Sequence, residues 1–89
     1  MPAKPVLITL LTRDSCEFCH DAEEVIERLS TEFPLHVTRV DIDSDEGRVR
    51  AIREGILFPP GILLDAVGFS YGRPSEKRLR KELERRCVS

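Results

Sequence analysis

The feature that most restricts the fold is the apolar run VLITLL, from Val6 to Leu11. It is too short to stand as a helix. It also lacks the apolar–polar alternation of a strand with one wet face, so it suits a strand covered on both sides, as at the middle of a parallel sheet. A chain of 89 residues buries only roughly 60–65% of its unfolded surface on folding, so the layers above and below this strand must be thin. These conditions point to an α/β chain with its first strand central.

The rest of the chain supplies such layers. Ala22, Val25, Ile26, Leu29 and Phe33 recur at helical spacing, with Asp21, Glu23, Glu24, Glu27 and Arg28 between them, so an amphipathic helix is expected that Pro34 ends. LHVTRVDID, Leu35 to Asp43, is rich in β-branched residues and reads as a second strand. SDEGRVRAIREG follows, with acids first, arginines later and Gly55 as a stop, the marks of a short second helix. After the turn FPPG, Ile62 to Leu64 forms a third strand, and AVG reverses the chain into a hairpin partner, Phe69 to Tyr71. Ser75 can cap a last helix whose apolar stripe is Leu79, Leu83 and Cys87. The expected order is β-α-β-α-β-β-α in one domain over residues 1–89. The strand–helix–strand unit implies parallel pairing, and the hairpin adds an antiparallel edge.

A formal net charge of −2 provides no attraction for polyphosphate, so nucleic-acid binding is not expected. No apolar run approaches the ~18 residues that a spanning helix needs. MPAKPVLITLL leads into TRDSC and not into a small-residue cleavage site, so it reads as a strand and not a signal peptide. With 3 cysteines and no secretory signal, a disulfide-stapled scaffold is not expected, and a cytoplasmic protein is.

Cys16 and Cys19 form a C-x-x-C with His20 directly after it. The same letters serve a redox dithiol, half a zinc site or a haem attachment. Zinc needs further ligands, and no spacing brings His20, His36 and Cys87 together as a second C-x-x-C would. Haem needs a second axial ligand, and the 1 methionine is Met1. Asp41, Asp43 and Asp45 lack the late Glu of a calcium loop. No bound metal is expected. A redox pair fits best, because Cys16 falls where a loop after the first strand opens the first helix, beside unsatisfied N–H groups and the positive end of the helix dipole. One turn of helix returns Cys19 towards it. A free thiol of pKa about 8.5 is only about 3% ionised at neutral pH. A dipole term of about 0.3–1 kcal/mol, against about 1.36 kcal/mol per pKa unit, moves this by less than one unit. Arg13 is the candidate cation for the rest, and Glu17 opposes it, so a reducing dithiol is expected and not a strong oxidant. His20 and the mixed-charge stretch KRLRKELERR read as solvated surface, Cys87 as a packing residue, and Phe69 and Tyr71 as edge-strand packing.

A first strand, then RDSCEFC opening an amphipathic helix, then VDID, a Pro-containing turn before ILLD and a closing charged helix together resemble the glutaredoxin branch of the thioredoxin fold, over nearly the whole chain. The resemblance implies a mixed four-stranded sheet with helices on both faces. It implies a thiol–disulfide oxidoreductase in which Cys16 is the nucleophile and Cys19 the resolving cysteine, with Arg13, Phe18, Pro59 and Pro60 as candidate substrate-binding residues. Family members hold a cis-proline against the dithiol. Pro59 and Pro60 are both candidates, and counting back from ILLD favours Pro60. The residue before it normally pairs with the cysteinyl backbone of glutathione or with a substrate strand, but Pro59 has no N–H to give. The middle pair Glu17-Phe18 also departs from the Pro-Tyr common in glutathione-dependent members, and YGRPSE matches the glutathione-holding segment only loosely.

The expected partners are a disulfide-containing protein substrate and a reductase or small thiol for recycling, with glutathione or another low-molecular-weight thiol as candidate co-substrate. No bound cofactor, nucleic acid or membrane is expected, and a monomer is. The alternative from a different class is a binding or adaptor module of the same fold whose dithiol is incidental.

Overall fold

A computed structural model describes residues 4–87. Along the chain lie β1 (Val6–Thr12), α1 (Glu17–Ser30), β2 (Leu35–Asp41), α2 (Asp45–Glu54), β3 (Gly61–Leu64), β4 (Val67–Tyr71) and α3 (Glu76–Cys87). The four strands form one sheet in the order β2-β1-β3-β4. β1 is central, parallel to β2 and antiparallel to β3, and β4 pairs antiparallel with β3 at the edge.

The alternation of side chains along β1 divides the interior in two. Val6, Ile8 and Leu10 join Ile62 and Leu64 of β3 against Ala22, Val25, Ile26 and Leu29 of α1 and Leu79 and Leu83 of α3. On the opposite face Leu11 and Leu63 meet Ile42, Ala51 and Ile56, from α2 and the segments that flank it. Burying each such leucine or isoleucine contributes about 1.5–3 kcal/mol, which makes the helix stripes the main force holding the layers together. The second face is only half roofed. α2 covers Leu11, the Thr9 hydroxyl sits beside the Arg50 guanidinium at 3.5 Å, and Leu7 is left 50% exposed. The expectation of a strand covered on both faces therefore holds for all of β1 except the end that the short α2 does not reach.

Local chemistry sets the boundaries. α1 stops at Ser30, before Pro34, because the Ser30 and Thr31 hydroxyls donate to the carbonyls of Glu27 and Arg28 and close the last turn. Ser44 caps α2 by accepting from the Gly47 N–H at 3.0 Å. A Cβ on Gly47 would lie 2.0 Å from the Asp41 carbonyl oxygen, so only glycine lets α2 start this close to the end of β2. Gly55 ends α2 in the left-handed conformation with φ 72°. The β3–β4 turn is Asp65-Ala66, both at positive φ, with Leu64 opposite Val67. The hairpin therefore turns earlier than AVG, and β4 begins at Val67, two residues ahead of the expected Phe69.

The far end of the sheet is fastened by one side chain. Asp65 accepts from the Leu7 N–H through Oδ1 at 3.0 Å and from Arg86 through Oδ2 at 3.0 Å, while its own N–H donates to the Leu7 carbonyl at 2.7 Å. This links the start of β1, the hairpin and the end of α3. Among the described residues, no helix is long and apolar enough to cross a membrane.

Candidate active site

The site lies at the other end of the sheet. The chain leaves β1 at Thr12, turns through Ser15 at φ 57° and enters α1 with Cys16 as the N-cap residue, in extended conformation at φ −113° and ψ 109°. The Cys16 sulfur accepts a hydrogen bond from the Cys19 N–H at 3.1 Å, so the thiol position itself caps the helix. Cys19, one turn on, faces the core and is 3% exposed, whereas Cys16 is partly open to solvent. Their Cα atoms are 5.2 Å apart, within the range a disulfide spans, and the two sulfurs are joined as one. An open depression of about 540 Å³ over Cys16 is lined by Ser15, Glu17, His20 and Asp21.

Sheet register brings the proline turn to the same end. Leu11 pairs with Gly61, which places Pro60 level with the exit of β1. The Pro59–Pro60 peptide is cis, so Pro60 is the cis residue, as counting back from ILLD favoured. The Pro60 carbonyl accepts from the Gly72 N–H at 2.9 Å. Pro60 is buried and Pro59 half-buried. Just before them Phe58 is 51% exposed and meets Tyr71 edge-on, with ring centroids 5.0 Å apart. Gly72, at φ 79°, backs onto that ring, and a Cβ there would lie 2.8 Å from the Phe58 Cε2. Phe18, inside the C-x-x-C, is also exposed.

Arg13 is drawn away from the role of lone cation. Its guanidinium forks onto Asp43, with Nε to Oδ2 at 2.8 Å and Nη2 to Oδ1 at 2.9 Å, tying the loop before Cys16 to the loop before α2. That hydrogen bonding, reinforced by charge attraction, holds the Asp43 carboxyl below its ordinary value and raises Arg13 above its own. With its charge offset in this way, Arg13 lends a Cys16 thiolate less than an unpaired cation would. The Cys19 N–H and the helix end are then its immediate support.

The remaining residues fall outside this constellation. His20 is exposed, its Nε2 3.8 Å from Glu24. Cys87 is partly buried against the core at the end of α3. Phe69 packs against that core under the Arg78 guanidinium. Among the described residues, no three His, Cys, Asp or Glu side chains cluster so as to hold a metal ion. Sequence reasoning did not bring Phe58 to the site, nor pair Arg13 with Asp43; it read Tyr71 as edge-strand packing and YGRPSE as a loose match to the glutathione-holding segment. Only the glycine after Tyr71 carried a local signal.

Comparison with known proteins agrees with this geometry. The model of the family described as Glutaredoxin-like domain (DUF836) matches residues 7–84. The chain belongs to this family. As a glutaredoxin-like domain it is similar to two archaeal proteins named Probable Thioredoxin. One, from Archaeoglobus fulgidus, is 28% identical over 76 residues, covering 85% of this chain and 84% of that protein. The other, from Methanothermobacter thermautotrophicus, is 33% identical over 76 residues, covering 83% and 87%. In architecture it is similar to a mutant thioredoxin from Halobacterium salinarum, with a TM-score of 0.73, 23% identity and coverage of 97% of this chain and 78% of that one. It is also similar to a glutaredoxin from Francisella tularensis, with a TM-score of 0.50, 18% identity and coverage of 86% and 93%. This glutaredoxin-like domain thus has the thioredoxin fold, with a C-x-x-C pair at the strand–helix junction.

Proposed function

We propose that the protein is a thiol–disulfide oxidoreductase that reduces protein or mixed disulfides through Cys16 and Cys19. The observation that carries this reading is the asymmetry of the pair: an open sulfur capping a helix N-terminus, and a 3% exposed partner within bonding reach one turn beneath. Cys16 attacks as thiolate, one substrate sulfur leaves, and a mixed disulfide forms. Cys19 then attacks the Cys16 sulfur, the second substrate thiol leaves, and two electrons have passed to the substrate. The protein ends oxidised, and a reductase or low-molecular-weight thiol reopens it. Phe58 and Pro59 line a groove that Arg13 borders, and with the exposed Phe18 they are the candidate apolar contacts for a substrate chain. Such a cycle suits a reducing compartment such as the cytoplasm.

Reduction of insulin by the pre-reduced protein is the direct test. Cys19→Ser is expected to accumulate a mixed disulfide with its substrate, and Cys16→Ser to abolish both trapping and turnover. If the wild-type protein reduces neither insulin nor a small disulfide, the pair is incidental and the chain is a binding module of the same fold.

A further inference from the structure

We infer that Glu17 and Asp21 make the site select neutral and cationic disulfides over anionic ones such as glutathione disulfide. This rests on the exchange activity proposed above and names the class of disulfide it accepts. The Cys16 sulfur borders the depression lined by Ser15, Glu17, His20 and Asp21, so the groups carried by a disulfide that meets this sulfur come near that wall. That wall carries two carboxylates and no Lys or Arg, and neither carboxylate is in an ion pair among the described residues. Cations elsewhere do not redress this. Arg13 donates to both carboxylate oxygens of Asp43, Arg48 is bound to Asp45 at 2.7 Å, and Arg73, on the loop after β4, does not line the depression. The imidazole of His20 is turned to Glu24.

The proline turn leaves an anion equally unserved. Pro59 and Pro60 have no N–H groups. An incoming carboxylate or backbone carbonyl therefore finds no donor from these two residues. Exposed charges beside the path of an approaching ion each change its encounter rate by a few-fold, and the effect is screened by salt. Two carboxylates acting on a dication and a dianion in opposite senses separate their rates by about tenfold or more at low ionic strength.

The step balances for each disulfide R–S–S–R. The Cys16 thiolate displaces one RS⁻, which takes a proton from water. Deprotonated Cys19 displaces the second, and one protein disulfide replaces one substrate disulfide. The probes are cystamine, 2-hydroxyethyl disulfide and glutathione disulfide, of cationic, neutral and anionic character. Second-order rate constants for the reduced protein are measured at low and high salt and divided by those of dithiothreitol with the same disulfide. The expected order is cystamine, then the neutral disulfide, then glutathione disulfide, with about tenfold or more between the extremes. The combined Glu17→Gln and Asp21→Asn variant, or high salt, should bring that ratio below about threefold. Any change in Cys16 ionisation in the variant cancels in the ratio. The inference is overturned if glutathione disulfide reacts as fast as cystamine, or if the ratio survives in the variant. Failure of the exchange reading looks different, because then the uncharged disulfide is not reduced either.

Discussion

The sulfur that attacks the substrate in the proposed cycle also terminates a helix, and the two roles can be separated by comparing Cys16→Ser with Cys16→Ala in fully reduced protein. In the native arrangement the Cys16 sulfur accepts from the Cys19 N–H at 3.1 Å. Serine offers an oxygen acceptor in its place. Alanine offers none, and the N–H it abandons belongs to a residue only 3% exposed, where water is a poor substitute. Loss of such a cap costs about 1 kcal/mol, with a range of about 0.5–2. An unfolding entropy of about 2.1 cal/mol/K per residue gives about 0.19 kcal/mol/K for 89 residues. The alanine variant should therefore melt about 5 °C below the serine variant. Thermal denaturation followed by circular dichroism, with excess reductant and at one pH, measures the difference while neither variant can close the disulfide. Equal melting temperatures within about 1 °C, or a more stable alanine variant, would show that the sulfur does not cap α1. The account of thiolate support at Cys16 would then lose its nearest donor.

Other perturbations test the frame around the site. Gly72→Ala forces a side chain into φ 79° and against the Phe58 ring, costing about 1–2 kcal/mol for the backbone and about 0.5–1.5 for the displaced Phe58–Tyr71 contact. In a double-mutant cycle with Phe58→Ala the second part should disappear, and strict additivity of the two substitutions would contradict the packing described. Leu83→Ala empties a fully buried position under α3 and should lower stability by about 3 kcal/mol, or roughly 15 °C in melting temperature. A loss below about 1 kcal/mol would mean that α3 is not seated as described. Hydrogen bonds from Arg85 and Arg86 hold the Glu82 carboxyl down to about 2 from an ordinary 4.5. A carboxyl depressed in the folded state stabilises above its unfolded value and loses that contribution as the pH falls. The melting temperature should therefore drop between pH 4.5 and about 2, and the drop should be shallower in Glu82→Gln and in high salt. Parallel profiles for the variant and the wild type would exclude the contribution.

Much of this architecture was legible because its determinants are local and periodic. The unbroken run at Val6 to Leu11 marked the central strand, and the stripe of Ala22, Val25, Ile26 and Leu29 is the face that α1 buries. Ser75 caps α3 through its hydroxyl, as its place in the sequence indicated. The hairpin was misplaced because its two left-handed residues are Asp65 and Ala66, and alanine carries no signal for that conformation. α1 ended early because hydroxyls at 30 and 31 closed it before the proline could. At the candidate site the cysteines are three apart in sequence and could be read together, but Arg13 and Asp43 are separated by 30 residues and meet only through β1–β2 pairing. The same holds for Phe58 and Tyr71, which the β3–β4 hairpin folds onto one another.

The fastening at Asp65 has a practical meaning. Because it gathers the beginning of β1 and the end of α3 at the pole opposite Cys16, a tether joined at either of these elements there would emerge behind the candidate site. The protein could be grafted through such a tether to a bead, an electrode or another protein, with its cysteine pair directed outwards.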